Sequence, residues 1–218
     1  MQYKVLLLHL NMTDSKDHLQ AITEIRSMME RSSRCISLSG LSGVFAGIFA
    51  LIGAYLAYLK LFSFGESYRL LEGESFADVI VYLVLDAAFV LVASLTVGTL
   101  LTIRNSKRKG LKIWDNSAKR LVINLAIPLL AGGVFCMVLL YHSIVGLVAP
   151  ATLIFYGLAL VNASKYTFDD IRYLGLCEIV LGLAGSLFIG YGLLFWAIGF
   201  GVLHIVYGTV MYFKYERK

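Results

Sequence analysis

Apolar positions along the chain gather into long runs interrupted by short charged clusters, with no sustained alternation of the kind a half-buried strand requires. Runs of about 20 apolar residues occupy approximately 36–61, 79–103, 121–141, 144–163, 172–191 and 194–213. Each is long enough to cross hydrocarbon as a helix, where the backbone has to satisfy its own hydrogen bonds. The pattern therefore predicts an all-α polytopic membrane bundle of six transmembrane helices over residues 35–214, with a cytoplasmic tail at 215–218. A very short turn around GYGLL separates the last two runs, so a re-entrant pair, or five spans, is the alternative.

The stretch 13–34 has a different period. Leu19, Ile22, Ile25, Met28 and Met29 recur at three- and four-residue steps with charges on the other face, and Asp14 or Ser15 is placed to cap the start. This predicts an amphipathic helix lying on the cytoplasmic interface or on a partner. Residues 1–12 hold an apolar core, VLLLHL, that is short for a signal-peptide core, and they are left unassigned.

Composition agrees with lipid as the solvent. Charged residues make up 15% of the chain, against about a quarter in soluble domains, and the runs leave no length for a separate globular domain. The net charge of +5 invites a nucleic-acid reading, but the basic residues flank apolar runs and no nucleic-acid-reading module accompanies them. With the N-terminus inside, every Lys and Arg except Lys60 and Arg69 falls on the cytoplasmic side, while Glu66, Glu72, Glu74 and Asp78 fall outside. The expected location is the plasma (inner) membrane, multi-pass, with both termini cytoplasmic.

Tyr55, Tyr58, Tyr82, Tyr141 and Trp196 then mark the outer interface, and Tyr166, Tyr173, Tyr212 and Tyr215 the inner one. Arg104, Lys107, Arg108, Lys109 and Lys112, followed by Trp114, form a basic loop suited to an anionic lipid surface. Cys35, Cys136 and Cys177 lie at or inside apolar runs without a Cys-x-x-Cys spacing and read as free thiols.

Small residues are the most organised feature of the runs. Ser39, Gly43 and Gly47 step by four, as do Gly182, Ser186 and Gly190, while Ala197, Gly201, His204 and Gly208 share a face of the last run. Such stripes let helix backbones approach closely in lipid, where packing replaces the hydrophobic drive.

Glu178 interrupts one of these stripes. Gly175, Gly182 and Gly185 lie three, four and seven positions from it, which turns the carboxyl toward protein. At ~1.5 Å per residue it sits ~9 Å from the cytoplasmic end of its run. Tyr207, on the antiparallel last run, falls at ~10 Å, and His204 one turn deeper, so the three are expected to approach one another. An unpaired charge at that depth is costly. Glu178 is either protonated and hydrogen-bonded or ionised against a cationic His204; in either state it is a polar clamp between helices, and a proton- or ion-coupled site is the alternative.

Asp86, with Tyr82 one turn away, is a second intramembrane acid in the opposite half of the bilayer. Asn124 and Asn162 add polar groups to the cytoplasmic half, where Pro128 frees a backbone carbonyl of its helix. The inner half is the expected cavity.

No His-Glu-x-x-His, Walker loop or Gly-x-Ser-x-Gly occurs, and no group of residues calls for a metal or other cofactor. Gly40-Leu41-Ser42-Gly43 resembles the Gly-x-Ser-Gly motif of rhomboid proteases, which are also six-span proteins with a His on the last span. The resemblance implies Ser42 as nucleophile and His204 as base. Here the serine is in the first run rather than the fourth, within a glycine stripe that accounts for it by packing. Three readings follow in order. The first is a small transporter or channel-like protein with a polar site at Glu178, His204, Tyr207, Asp86 and Asn124. The second is a non-catalytic interaction protein that binds a partner, a second copy or anionic lipid through helix 13–34 and the basic loop. An intramembrane hydrolase comes last.

Overall fold

In the computed structural model the apolar runs are helical over most of their described length, and the structure describes residue 22 and residues 39–70, 75–110 and 114–217. The expected amphipathic helix at 13–34, apart from Ile22, and Lys112 of the basic loop lie outside the described residues. Helix α1 spans Gly40–Leu70, α2 Phe76–Arg108 and α3 Asn116–Tyr141. Helix α4, Val148–Ala163, is extended by single 3-10 turns at Val145–Leu147 and Ser164–Tyr166. Helix α5 covers Asp170–Leu187, and α6 runs over Gly192–Tyr215.

The starts of α2 and α3 follow ordinary capping chemistry. The Ser75 side chain accepts from Ala77 N at the start of α2, and Asp115 accepts from Ala118 N at the start of α3. Arg104, Lys107, Arg108 and Lys109 are exposed at the C-terminal end of α2, where cations complement the helix dipole. Gly110, with φ 65°, turns the chain away.

Five of the described helices are long and apolar enough to cross a membrane: Gly40–Ser63, Phe76–Arg108, Asn116–Tyr141, Val145–Tyr166 and Gly192–Tyr215. The run expected at 172–191 departs from the other five. It folds as the 18-residue α5, ~27 Å long against a hydrocarbon core of about 30 Å. It also carries Asp170, Arg172 and Glu178. The six-span expectation thus becomes five apolar helices and one shorter, charged helix, because Asp170, Arg172 and Glu178 all fall within its 18 residues.

Helix α5 is held between α4 and α6, α1 packs on α6 and α2, and α3 packs on α4. Glycines set the two tightest contacts. A β-carbon at Gly157 of α4 would lie 2.5 Å from Gly175 O of α5, and one at Gly175 would lie 2.7 Å from Gly157 O. Gly182 meets Pro150 O in the same way at 2.8 Å. Between α1 and α6, Gly47 faces Gly201 O at 2.6 Å, Gly208 faces Val44 N at 2.6 Å, and Gly43 approaches the Gly208 backbone. The stripes at Gly43, Gly47, Gly201 and Gly208 therefore lie against each other, first helix on last.

Two members of the expected stripes do something else. Gly190 is not a packing residue: α5 ends at Leu187, and Gly190 forms the following turn at φ 106°, where a side chain is strained. Ser39 precedes α1, and its hydroxyl donates to Glu216 Oε2 at 3.1 Å. The Glu216 carboxylate also accepts from Gly40 N, an anion at a helix N-terminus.

A second tie closes the same end of the bundle. Lys214 Nζ lies 2.9 Å from Asp170 Oδ2, and Tyr215 donates its hydroxyl to that oxygen at 2.8 Å. The Tyr215 ring stacks on Phe168 with centroids 4.1 Å apart. Partial burial works against the charged form of Asp170, but the hydrogen bonds from Lys214 and Tyr215, with the lysine's charge, outweigh it and hold the carboxyl below its ordinary value.

Gly157→Ala is expected to force α4 and α5 apart and cost about 1–3 kcal/mol in thermal unfolding of the detergent-solubilised protein. Gly133→Ala, where a β-carbon meets open space, is expected to be neutral or stabilising by roughly 0.5–1 kcal/mol. Because the folded Asp170 value is depressed, its contribution is complete above the ordinary value of 3.8 and is lost as pH falls through the folded value. Asp170→Asn should therefore lower the melting temperature at neutral pH and flatten the acid limb of its pH profile.

Candidate functional site

The site begins with a side chain that has nowhere polar to go. Glu178, on the face of α5 that carries Gly175 and Gly182, is fully buried at 0% exposure. Among the described residues neither of its carboxyl oxygens has a hydrogen-bond partner. Its nearest polar neighbour is His204 on α6, whose Nδ1 lies 3.4 Å from Oε1. That separation suits an ion pair and is long for a hydrogen bond.

The local shape of α6 creates this meeting. Residues Ala197–Leu203 form a π-helical segment between the α-helical turns Gly192–Trp196 and His204–Tyr215. Short π segments widen a helix and recur at functional sites. Here the Gly199 carbonyl accepts from His204 Nδ1 at 3.0 Å. Gly199 also has to lack a side chain, since a β-carbon there would collide with Glu178 Oε2 and with Leu153 of α4. The carboxyl thus rests against bare backbone, sealed by Leu153, which is 0% exposed.

A carbonyl can only accept, so the bond to Gly199 places a proton on Nδ1 of His204. In the neutral ring Nε2 is then an acceptor. Its partner is Tyr156 of α4, whose hydroxyl lies 2.8 Å away. Phe200 packs on both rings, with centroids 4.9 Å from Tyr156 and 5.8 Å from His204. Three helices therefore bring together a row of groups: the Tyr156 hydroxyl is hydrogen-bonded to His204 Nε2, and the Glu178 carboxyl lies 3.4 Å from Nδ1, whose proton goes to Gly199 O.

Tyr156 and His204 line a cavity of about 200 Å³. It extends to Ser39, Thr167 and Met211 at the end of the bundle where α1 begins and α6 ends, and Leu121, Leu125, Leu160 and Leu174 make much of its wall.

Of the expected site residues, Glu178 and His204 are brought together. Tyr207 lines the same cavity but directs its hydroxyl to Cys177 Sγ at 3.9 Å, beside Glu178 in sequence. Asp86 lies on α2 against α1, its carboxyl near Gly53, in a helix that packs on α1 rather than on α5. Asn124 belongs to a separate clamp. Pro128 has no N–H to offer the Asn124 carbonyl one turn earlier, and Asn162 Nδ2 takes that carbonyl at 2.9 Å, joining α3 to α4. Asn124 itself donates to Arg120 O.

Tyr156, Gly199 and Leu153 were not foreseen. Tyr156 lies in a uniformly apolar helix with no periodic signal, and nothing in the sequence announces the π segment that brings Gly199 under the carboxyl. Ser42 and His204 line one cavity, yet the Ser42 hydroxyl donates to Ser39 O at 2.5 Å while both His204 nitrogens are engaged elsewhere. The pairing implied by the rhomboid resemblance is not formed.

Comparison of the chain with protein-family models, with curated proteins and with solved structures yields no match.

Tyr156→Phe is expected to shift the His204 Nε2 resonance in nitrogen NMR while leaving the Nδ1–H bond to Gly199 in place. Gly199→Ala should perturb both nitrogens and cost about 1–3 kcal/mol of stability by overpacking.

Proposed function

We propose that the protein is a multi-pass membrane protein that moves an ion or small solute, using Tyr156, His204 and Glu178 as its protonatable site. The observation that carries this reading is the buried carboxyl without a hydrogen-bond partner among the described residues, 3.4 Å from a histidine that lines a cavity together with Tyr156. Ionisable groups inside a membrane bundle are expensive to keep and recur in proton relays and solute pathways. A clamp that served only to hold helices would satisfy its donors and acceptors, as the Asn124–Asn162 pair does.

In this reading the cavity faces the cytoplasm, because the basic residues place the start of α1 and the end of α6 on that side. Helix α5 is then a sixth, charged crossing element, and the protein resides in the plasma membrane. A solute entering between α1, α4 and α6 meets Tyr156 and His204 first. Release of a proton to Tyr156 passes the tyrosine proton to His204 Nε2, and the resulting imidazolium is balanced by the Glu178 carboxylate. The opposite passage requires α5 and α6 to shift so that Glu178 is reached from the other side, and the wide π turn of α6 is the flexible element for that step.

The test is proton flux in proteoliposomes holding the full chain and a pH-sensitive dye under an imposed pH gradient. Wild-type protein is expected to dissipate the gradient faster than empty vesicles, and Glu178→Gln is expected to reduce that excess rate at least about tenfold. Correctly folded Glu178→Gln protein with unchanged flux would remove Glu178 from the pathway.

A further inference from the structure

The cavity specifies more than its size. Among the described residues its lining includes no Lys, Arg, Asp or Glu. Three of its hydroxyls have already given their protons away: Ser39 to Glu216, Ser42 to the Ser39 carbonyl, and Tyr156 to His204 when the ring is neutral. What these oxygens still offer an occupant is lone pairs. The polar groups of the cavity are therefore biased toward acceptors, and an occupant has to donate.

Charge points the same way. Glu178, a fully buried acid, lies 3.4 Å behind His204, and among the described residues no Lys or Arg lines the cavity to receive an anion. Two aromatic residues, Tyr156 and Tyr207, line the cavity, and aromatic rings attract cations. The remaining wall is aliphatic. Volume sets the scale: an apolar cavity of about 150 Å³ accommodates benzene, so about 200 Å³ accommodates a six-membered ring bearing one substituent.

We propose that the cavity is a binding site for a small monovalent amine cation with an apolar body, its ammonium group at Tyr156 and His204 and its hydrocarbon against the leucine wall. Glu178 acts through His204 as the countercharge and does not touch the amine. This deepens the reading of Tyr156, His204 and Glu178 as the functional site and rests on it.

The experiment is isothermal titration of the full chain in nanodiscs, with empty nanodiscs subtracted, at neutral pH. The probes are cyclohexylamine, cyclohexanol and cyclohexanecarboxylate, which share a ring and differ in charge. The expected order is amine tightest, alcohol at least about tenfold weaker and carboxylate without measurable binding. Glu178→Gln is expected to bring the amine down to the affinity of the alcohol and to leave the alcohol unchanged. Met211→Phe, which fills the cavity, should weaken amine and alcohol together.

Carboxylate binding as tight as the amine, or alcohol equal to amine, would overturn the proposal. So would retention of amine affinity in folded Glu178→Gln protein, or amine binding indifferent to Met211→Phe. The wild-type ranking needs no variant, so the test stands even where a variant fails to fold. Failure of the ranking with Glu178-dependent proton flux intact removes the ligand class and keeps the pathway. A correct ranking without flux keeps the amine site and removes transport.

Discussion

The contact between the Glu178 carboxyl and the bare Cα of Gly199 is the constraint on which the rest of the site depends. A carboxyl that is to stay inside a bundle without donors needs atoms packed against it closely enough to exclude everything else. A glycine backbone on one side and Leu153 on another supply them. Close approach at that point demands that α5 and α6 run near each other, and α5 is pressed in turn against α4 by the paired glycines Gly157 and Gly175. The π segment then has a clear purpose, because it carries Gly199 and His204 onto the same side of α6 with their mutual hydrogen bond formed.

The remainder of the fold divides into elements that tighten this centre and elements that surround it. Helix α1 meets α6 through Gly43, Gly47, Gly201 and Gly208 and so fixes the far side of the cavity. At one end, Glu216 and Asp170 gather the starts of α1 and α5 around the end of α6. Helices α2 and α3 lie outside this arrangement, on α1 and α4 respectively. Their apolar surfaces are widely exposed, as at Phe89 and Leu130, which is the expected state of a surface that faces lipid.

The class of fold was legible in the sequence because hydrocarbon imposes length and apolarity on every crossing helix, and those are one-dimensional properties. The same reasoning fixed depth: counting residues from each end brought Glu178 level with the last helix and placed His204 deeper than Tyr207. Rotation about the helix axis was less legible. Tyr207 shares the depth of Glu178 but turns to Cys177, while Tyr156 sits in a largely apolar helix with no amphipathic period to give it a direction. The π segment altered the phase of α6 without any residue type that marks it. Glycine stripes were readable as contacts, yet Gly190 showed their weakness, since spacing by four also continues by chance into a turn.

The partnership of α1 with α6 has a consequence for how the molecule comes into being. During synthesis α1 leaves the ribosome with its glycine face prepared for a helix that emerges only after all the others described here. Among the described helices α1 packs on α2 and α5 on α4 before α6 is made, and Glu178 then lacks His204. The cavity, the carboxyl's enclosure and the ties at Glu216 and Asp170 all need residues of α6 or of the chain just after it. Completion of the bundle is therefore also completion of the site.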